Sequence, residues 1–259
     1  MLQFKESLSD PSGRLSSWTG ESCCTWKGVT CDIKTGHVVK LNLRNPFPQT
    51  FDPTPESFDG NGMVYELSGK VSPSLVNLQH LSYFDLSMNN FQGTQIPGFL
   101  GSLTRLKYLN LSGASFAGKI PSSIGNLSGL HYLDLNSYTD EPVKNDIQWL
   151  SGLSSLRYLD LGGLDLSRAS SHWLPTINML ASLSELHLSQ CQLLNLPNSL
   201  PFINITSLSA LDLSRNNFNS TMPNWLFNLS SLTDLDLSSN YGIRGQLSRN
   251  LGNLCKLRA

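Results

Sequence analysis

The chain has 259 residues, of which 14% are charged and 39% hydrophobic, and its formal net charge is −1. That is enough apolar material for a core, which excludes wholesale disorder. Near-neutrality argues against a nucleic-acid or anionic-membrane surface, and no apolar run reaches the roughly 18–20 residues that cross a bilayer.

In chain order, the opening MLQFKESLSDPSG lacks the basic, apolar and small-residue regions of a signal peptide. A secretion signal and a membrane anchor are therefore expected to lie outside this sequence. Cys23, Cys24 and Cys31 cluster near the start, while Cys191 and Cys255 stand apart. The odd count leaves a thiol unpaired or paired outside the chain. Residues 46–62, PFPQTFDPTPESFDGNG, follow neither a helical nor a strand period and read as a surface loop.

Beyond the loop one pattern organises the chain. Seven segments align on LxxLxxLxL with the second Leu at 81, 106, 130, 156, 183, 208 and 232, a period of roughly 25. Three residues after each comes Phe84, Leu109, Leu133, Leu159, Leu186, Leu211 or Leu235, and no position in the four columns is polar. The LxL alternation predicts a short strand with every second side chain inward, so stacked turns form a parallel sheet. One turn buries about five large apolar side chains at roughly 1.5–3 kcal/mol each, against a backbone ordering cost of roughly 1–2 kcal/mol for each of its ~24 residues. A lone turn cannot fold, and stacked neighbours supply the stability. The column eight residues after the second Leu holds Asn89, Ala114, Tyr138, Leu164, Cys191, Asn216 and Asn240. Asn or Cys there suits a turn whose buried backbone groups need partners. Residues 138–150 and 164–180 depart from the pattern and read mainly as repeat degeneracy, with a ligand-contacting bulge as the alternative.

The strands also expose a regular face. Its first column includes Tyr83, Tyr108, Tyr132 and Tyr158, and its second Asp85, Asn110, Asp134 and Asp160. Tyrosine gives rigid amphipathic contact area, and the expected acidic, solvated column beside it would favour a basic ligand. Consensus alone also explains both columns. N-x-[ST] sequons fall at Asn110, Asn126, Asn204, Asn219 and Asn228. Asn110 is expected to be poorly used because a glycan there would crowd the tyrosines. No metal, cofactor or catalytic motif appears, so an enzyme is not expected.

Segments such as LKYLNLSGASFAGKIPSSIGNLSGL resemble the plant-specific leucine-rich repeat, and LQFKESLSDPSGRLSSWTGESCCTWKGVTCD resembles the N-terminal cap of plant receptor-like kinases and receptor-like proteins. The resemblance implies an α/β leucine-rich-repeat solenoid, with a parallel β-sheet on the concave face, short 3-10 or irregular segments on the convex face and a helical cap. It implies a Cys24–Cys31 disulfide sealing the core, with Cys23 left without its usual upstream partner; a metal site is the competing reading, though no further Cys or His completes four ligands. The expected layout is a cap at 1–43, a surface insert at 44–70, and about seven repeats plus the start of an eighth at 71–259, without a C-terminal cap. The expected function is the ligand- or partner-binding part of a plant cell-surface receptor at the extracellular face of the plasma membrane. Its partners would be a peptide, protein or elicitor ligand and a co-receptor, with no membrane contact by this segment. A soluble inhibitor of a microbial polygalacturonase and a truncated gene product are the alternatives.

Overall fold

The computed structural model describes residues 1–46, 65–137, 142–245 and 248–258. Tyr138 and most of the 46–62 loop lie outside these residues. The chain opens with helix α1 (Leu2–Glu6), which buries Phe4. The Trp18 and Trp26 rings stack 5.3 Å apart beside Phe4. Each indole N–H has a carbonyl partner, Trp18 with Lys27 O and Trp26 with Thr19 O, both at 2.9 Å. The aromatic plug is thus both dry and satisfied. Cys24 and Cys31 form a disulfide across Cα atoms 5.5 Å apart, and Cys23 is a free, half-buried thiol. Although the three sulfurs cluster, two are consumed by the bond, so they offer no thiolate set for a metal.

Strands β1 (Leu8–Ser9), β2 (Val29–Cys31), β3 (Val38–Asn42) and β4 (Ser68–Gly69) come next. They are followed by β5 (Tyr83–Asp85), β6 (Tyr108–Asn110), β7 (Tyr132–Asp134), β8 (Tyr158–Asp160), β9 (Glu185–His187), β10 (Ala210–Asp212) and β11 (Asp234–Asp236). One sheet runs in the order β11-β10-β9-β8-β7-β6-β5-β3-β2. Every pairing from β3 to β11 is parallel, and β2 closes the cap end antiparallel. Behind it the inward Leu and Phe columns form one continuous core. Most turns cross the convex side as a 3-10 segment such as Ser122–Asn126. Between β8 and β9 the crossing uses helix α2 (Trp173–Ile177), which buries Trp173, Leu174 and Ile177. The off-pattern stretch there is inward packing rather than an exposed bulge.

Two boundaries differ from the sequence-based layout. Strand β3, assigned from sequence to the cap, pairs in parallel register with β5 through Lys40↔Tyr83 and Leu41↔Phe84, and so is the first rung of the coil. The end of the proposed insert is structural as well: β4 pairs antiparallel with β1, and Leu67 is fully buried. The first turn is therefore a repeat interrupted by residues 47–64, and the interruption hid its period. Arg14 holds the split together. Its guanidinium donates to Leu43 O at 2.8 Å and Arg44 O at 2.7 Å on one side, and to Tyr65 O at 2.9 Å and Asn89 Oδ1 at 2.8 Å on the other.

The expected role of the turn column holds at its Asn and Cys positions, while Ala114 and Leu164 offer no such donor. Asn89, Asn216 and Asn240 donate through Nδ2 to Leu43 O, Leu188 O and Leu213 O of the preceding turn, at 2.9, 2.7 and 2.9 Å. Cys191 substitutes its thiol, which donates to Leu161 O at 3.2 Å. In the irregular turn Asn145 takes over, accepting from Ile120 N at 2.9 Å.

Candidate ligand-binding face

The outward side chains of β5 to β8 form two columns because parallel strands in register place equivalent residues directly beside one another. In the first column, Tyr83 and Tyr108 stack at 4.1 Å and 6°, Tyr108 and Tyr132 at 4.3 Å and 11°, and Tyr132 and Tyr158 at 4.2 Å and 7°. Lys40 Nζ sits 4.3 Å from the Tyr83 centroid at one end, and His187 meets Tyr158 at 5.4 Å at the other. Four phenols thus form one rigid pile whose members are half-buried. Burial, then the hydrogen bond to Tyr108, raises the Tyr83 hydroxyl pKa; burial, then the Asp160 charge, raises that of Tyr158 to about 12. The Tyr83 and Tyr158 phenols therefore stay neutral over the whole physiological range.

The second column departs from expectation. Asp85, Asn110 and Asp134 are only 2%, 4% and 8% exposed, so this is no solvated acidic ladder. Two causes act together. Each side chain folds back to accept the backbone N–H two residues on, Ser87 and Ser112 at 2.9 Å and Asn136 at 3.0 Å, bending the chain out of the strand. The tyrosine two residues earlier then leans across: Tyr83 Oη donates to Asp85 Oδ2 at 3.2 Å, and Asn110 Nδ2 donates to Tyr108 Oη at 3.4 Å. Burial raises the Asp134 pKa to about 6, with the Asp160 charge adding to the shift. Burial likewise raises Asp160, whose carboxylate also accepts from Asn136 Nδ2 at 3.2 Å.

Past β8 the tyrosine column gives way to Glu185, Ala210 and Asp234, and the acids lose their cover. A polar depression of about 300 Å³ opens among Asp160, His187, Asp212, Arg215 and Asp236. The concave face therefore has a ring-paved half and an open, acidic half. Single columns of sequence cannot show this, because the covering residue sits in the other column.

The sequons divide in the same way. Asn126, Asn204, Asn219 and Asn228 are exposed, whereas Asn110 is buried and its Oδ1 accepts from Ser112 N and Oγ. Asn126, Asn204 and Asn228 each lie four residues before the second Leu of a repeat (Leu130, Leu208 and Leu232), at the corner between convex crossing and strand.

Fold and face together define a solenoid built to present a broad concave surface. The leucine rich repeat N-terminal domain family matches residues 1–32, and the leucine rich repeat family matches 80–103, 105–127 and 207–229. Receptor-like protein EIX1 of Solanum lycopersicum is 41% identical over 266 residues, covering 99% of this chain and 25% of that protein. Receptor-like protein EIX2 of the same species is 43% identical over 288 residues, covering 99% and 27%. The ectodomain of the plant membrane receptor kinase GASSHO1/SCHENGEN3 from Arabidopsis thaliana superimposes with a TM-score of 0.70 at 25% identity, over 99% of this chain and 31% of that one. The chain belongs to the plant leucine-rich-repeat proteins of receptor-like type, and it spans about a quarter of the length of the relatives it matches.

Proposed function

We propose that the chain is part of the ligand-sensing region of a plant cell-surface receptor-like protein, and that it engages a peptide or protein ligand along the concave face. The observation that carries the reading is the stacked row from Tyr83 to Tyr158. These rings stand half-exposed on a rigid sheet, so a partner docks on them with little ordering entropy lost. The open acids beyond β8 add a preference for a cationic portion of the ligand at that end. On this reading the protein binds rather than catalyses, and it faces the cell exterior. The Cys24–Cys31 disulfide suits that oxidising setting. Among the described residues no helix is long and apolar enough to cross a membrane.

Two relatives support the receptor class over a soluble inhibitor, since both proteins matched across 99% of the chain are receptor-like proteins. The GASSHO1/SCHENGEN3 ectodomain was solved in complex with CASPARIAN STRIP INTEGRITY FACTOR 2, which shows a related scaffold holding a ligand. The test is Tyr132→Ala with Tyr158→Ala in the intact receptor. Response should fall at least about ten-fold while surface abundance stays unchanged, because half-exposed rings contribute little to the core. Normal signalling by the double variant would remove the concave face from consideration.

A further inference from the structure

A second surface runs along the flank where each turn enters its strand, outside the tyrosine columns. Lys107, His131 and Arg157 occupy successive rungs there: His131 N donates to Lys107 O, and Arg157 N to His131 O, both at 2.8 Å. Neighbouring rungs of a sheet lie about 4.8 Å apart, so the three form a closely spaced basic row. At its cap end the row meets Arg105, whose guanidinium contacts His80 Nδ1 at 2.9 Å, and the His80 ring in turn lies tilted against His37 at 3.9 Å. Arg105, Lys107 and Arg157 are all exposed.

Among the described residues no carboxylate forms an ion pair with these cationic side chains. Both ion pairs among the described residues involve histidine, and no Lys or Arg there lies within 4.0 Å of a carboxylate oxygen. Asp32, whose charge reaches His80, turns onto its own loop and accepts from Thr35 N at 2.8 Å and Thr35 Oγ1 at 2.9 Å. Beside the row a hollow of about 490 Å³ has Val39, His80, Thr104, Arg105 and Lys107 in its lining, with Asp32 at its edge. A methyl-bearing floor and an imidazole face accept an aliphatic side chain, while the cationic rim accepts carboxylates.

We propose that this basic flank is a docking surface for an acidic segment of a partner protein, laid across the entries to β6, β7 and β8 with an apolar side chain seated in the hollow. Polypeptide fits both elements, because it carries acidic and aliphatic side chains on one backbone. An acidic polysaccharide would match the row but leave the hollow empty. The surface is separate from the tyrosine face, and the proposal stands whether or not ligand binds there.

The test uses the full chain, produced in a secretory host, with a fluorescein-labelled peptide of repeating Glu-Glu-Leu as probe. Binding should weaken steeply with salt, and Arg105→Glu, Lys107→Glu and Arg157→Glu together should weaken it by about ten-fold or more. Reversing Lys119, Lys144 and Arg168, which line a different hollow on the molecule, should leave it unchanged. The single variant Lys107→Glu provides the same comparison if the triple variant folds poorly. Failure of the probe to bind, or equal binding by wild type and Lys107→Glu, would overturn the proposal. So would binding of an oligogalacturonate, lost in the variants, when the peptide does not bind.

Discussion

Asp134 shows how one residue type can mean opposite things at equivalent positions. From sequence it belongs to an acidic column like Asp212 or Asp236, yet it is buried beneath a phenol pile while Asp236 is exposed. Its raised pKa of about 6, caused first by burial, fixes the direction of a pH effect. A carboxyl whose folded-state pKa exceeds its unfolded value binds its proton more tightly when folded. The chain therefore gains stability as pH falls from above 6 towards the ordinary carboxyl value near 4, and loses that gain as pH rises through 6. Asparagine already fills the same position at Asn110, where Oδ1 accepts from Ser112 N at 2.9 Å. Asp134→Asn should thus preserve the turn, raise the melting temperature at pH 7.5 and flatten its change between pH 5 and 7.5. Calorimetry at the two pH values checks this, and a lower melting temperature at both would contradict it.

At the scale of elements, the strands were legible because large apolar residues recur in columns that no polar residue interrupts. The first rung was not legible. Val38 to Asn42 carries the same inward pattern through Leu41 and Leu43, but the residues inserted before the next repeat remove the spacing that identifies one. Nor could sequence reveal Arg14, which looks like an ordinary cap cation and instead ties both stems of the split turn to Asn89. Replacing it with Ala leaves carbonyl oxygens and the Asn89 amide oxygen short of a charged donor. Arg14→Ala should therefore cost on the order of 2–4 kcal/mol in chemical denaturation. Hydrogen exchange should localise the loss: the Leu67 and Asn90 amides, bonded to Asn89 Oδ1 and Leu67 O, should exchange faster than the Leu133 region of the ladder. Uniform acceleration along the whole solenoid would mean that Arg14 acts globally.

For the whole molecule, the division of labour between faces is the main result. The concave side is half paved and half open, one flank is basic, and the exposed sequons cluster away from the tyrosines. Peptide mapping after secretion should find glycans at Asn126, Asn204 and Asn228 and none at Asn110, whose amide is enclosed in the turn. Full occupancy at Asn110 would mean that the turn is open when the chain is glycosylated. The family was readable from the resemblance of the cap and the repeats, and the parallel sheet from the repeat period. The partition of the concave face was not, because it depends on which side chain leans over which neighbour across and along the rungs.

The split first turn has a consequence for how such a protein can change over generations. Its two stems, at Leu43–Arg44 and Tyr65, are held by the same guanidinium. Closure of whatever lies between them is already set by that contact. Doubling the length of a flexible loop adds only about 0.6 kcal/mol of closure entropy. Length at this point is therefore nearly a neutral variable, while a residue added within a strand would turn its inward side chains outward. The split turn is a port through which new sequence can be admitted, tried and discarded without disturbing the frame that displays it.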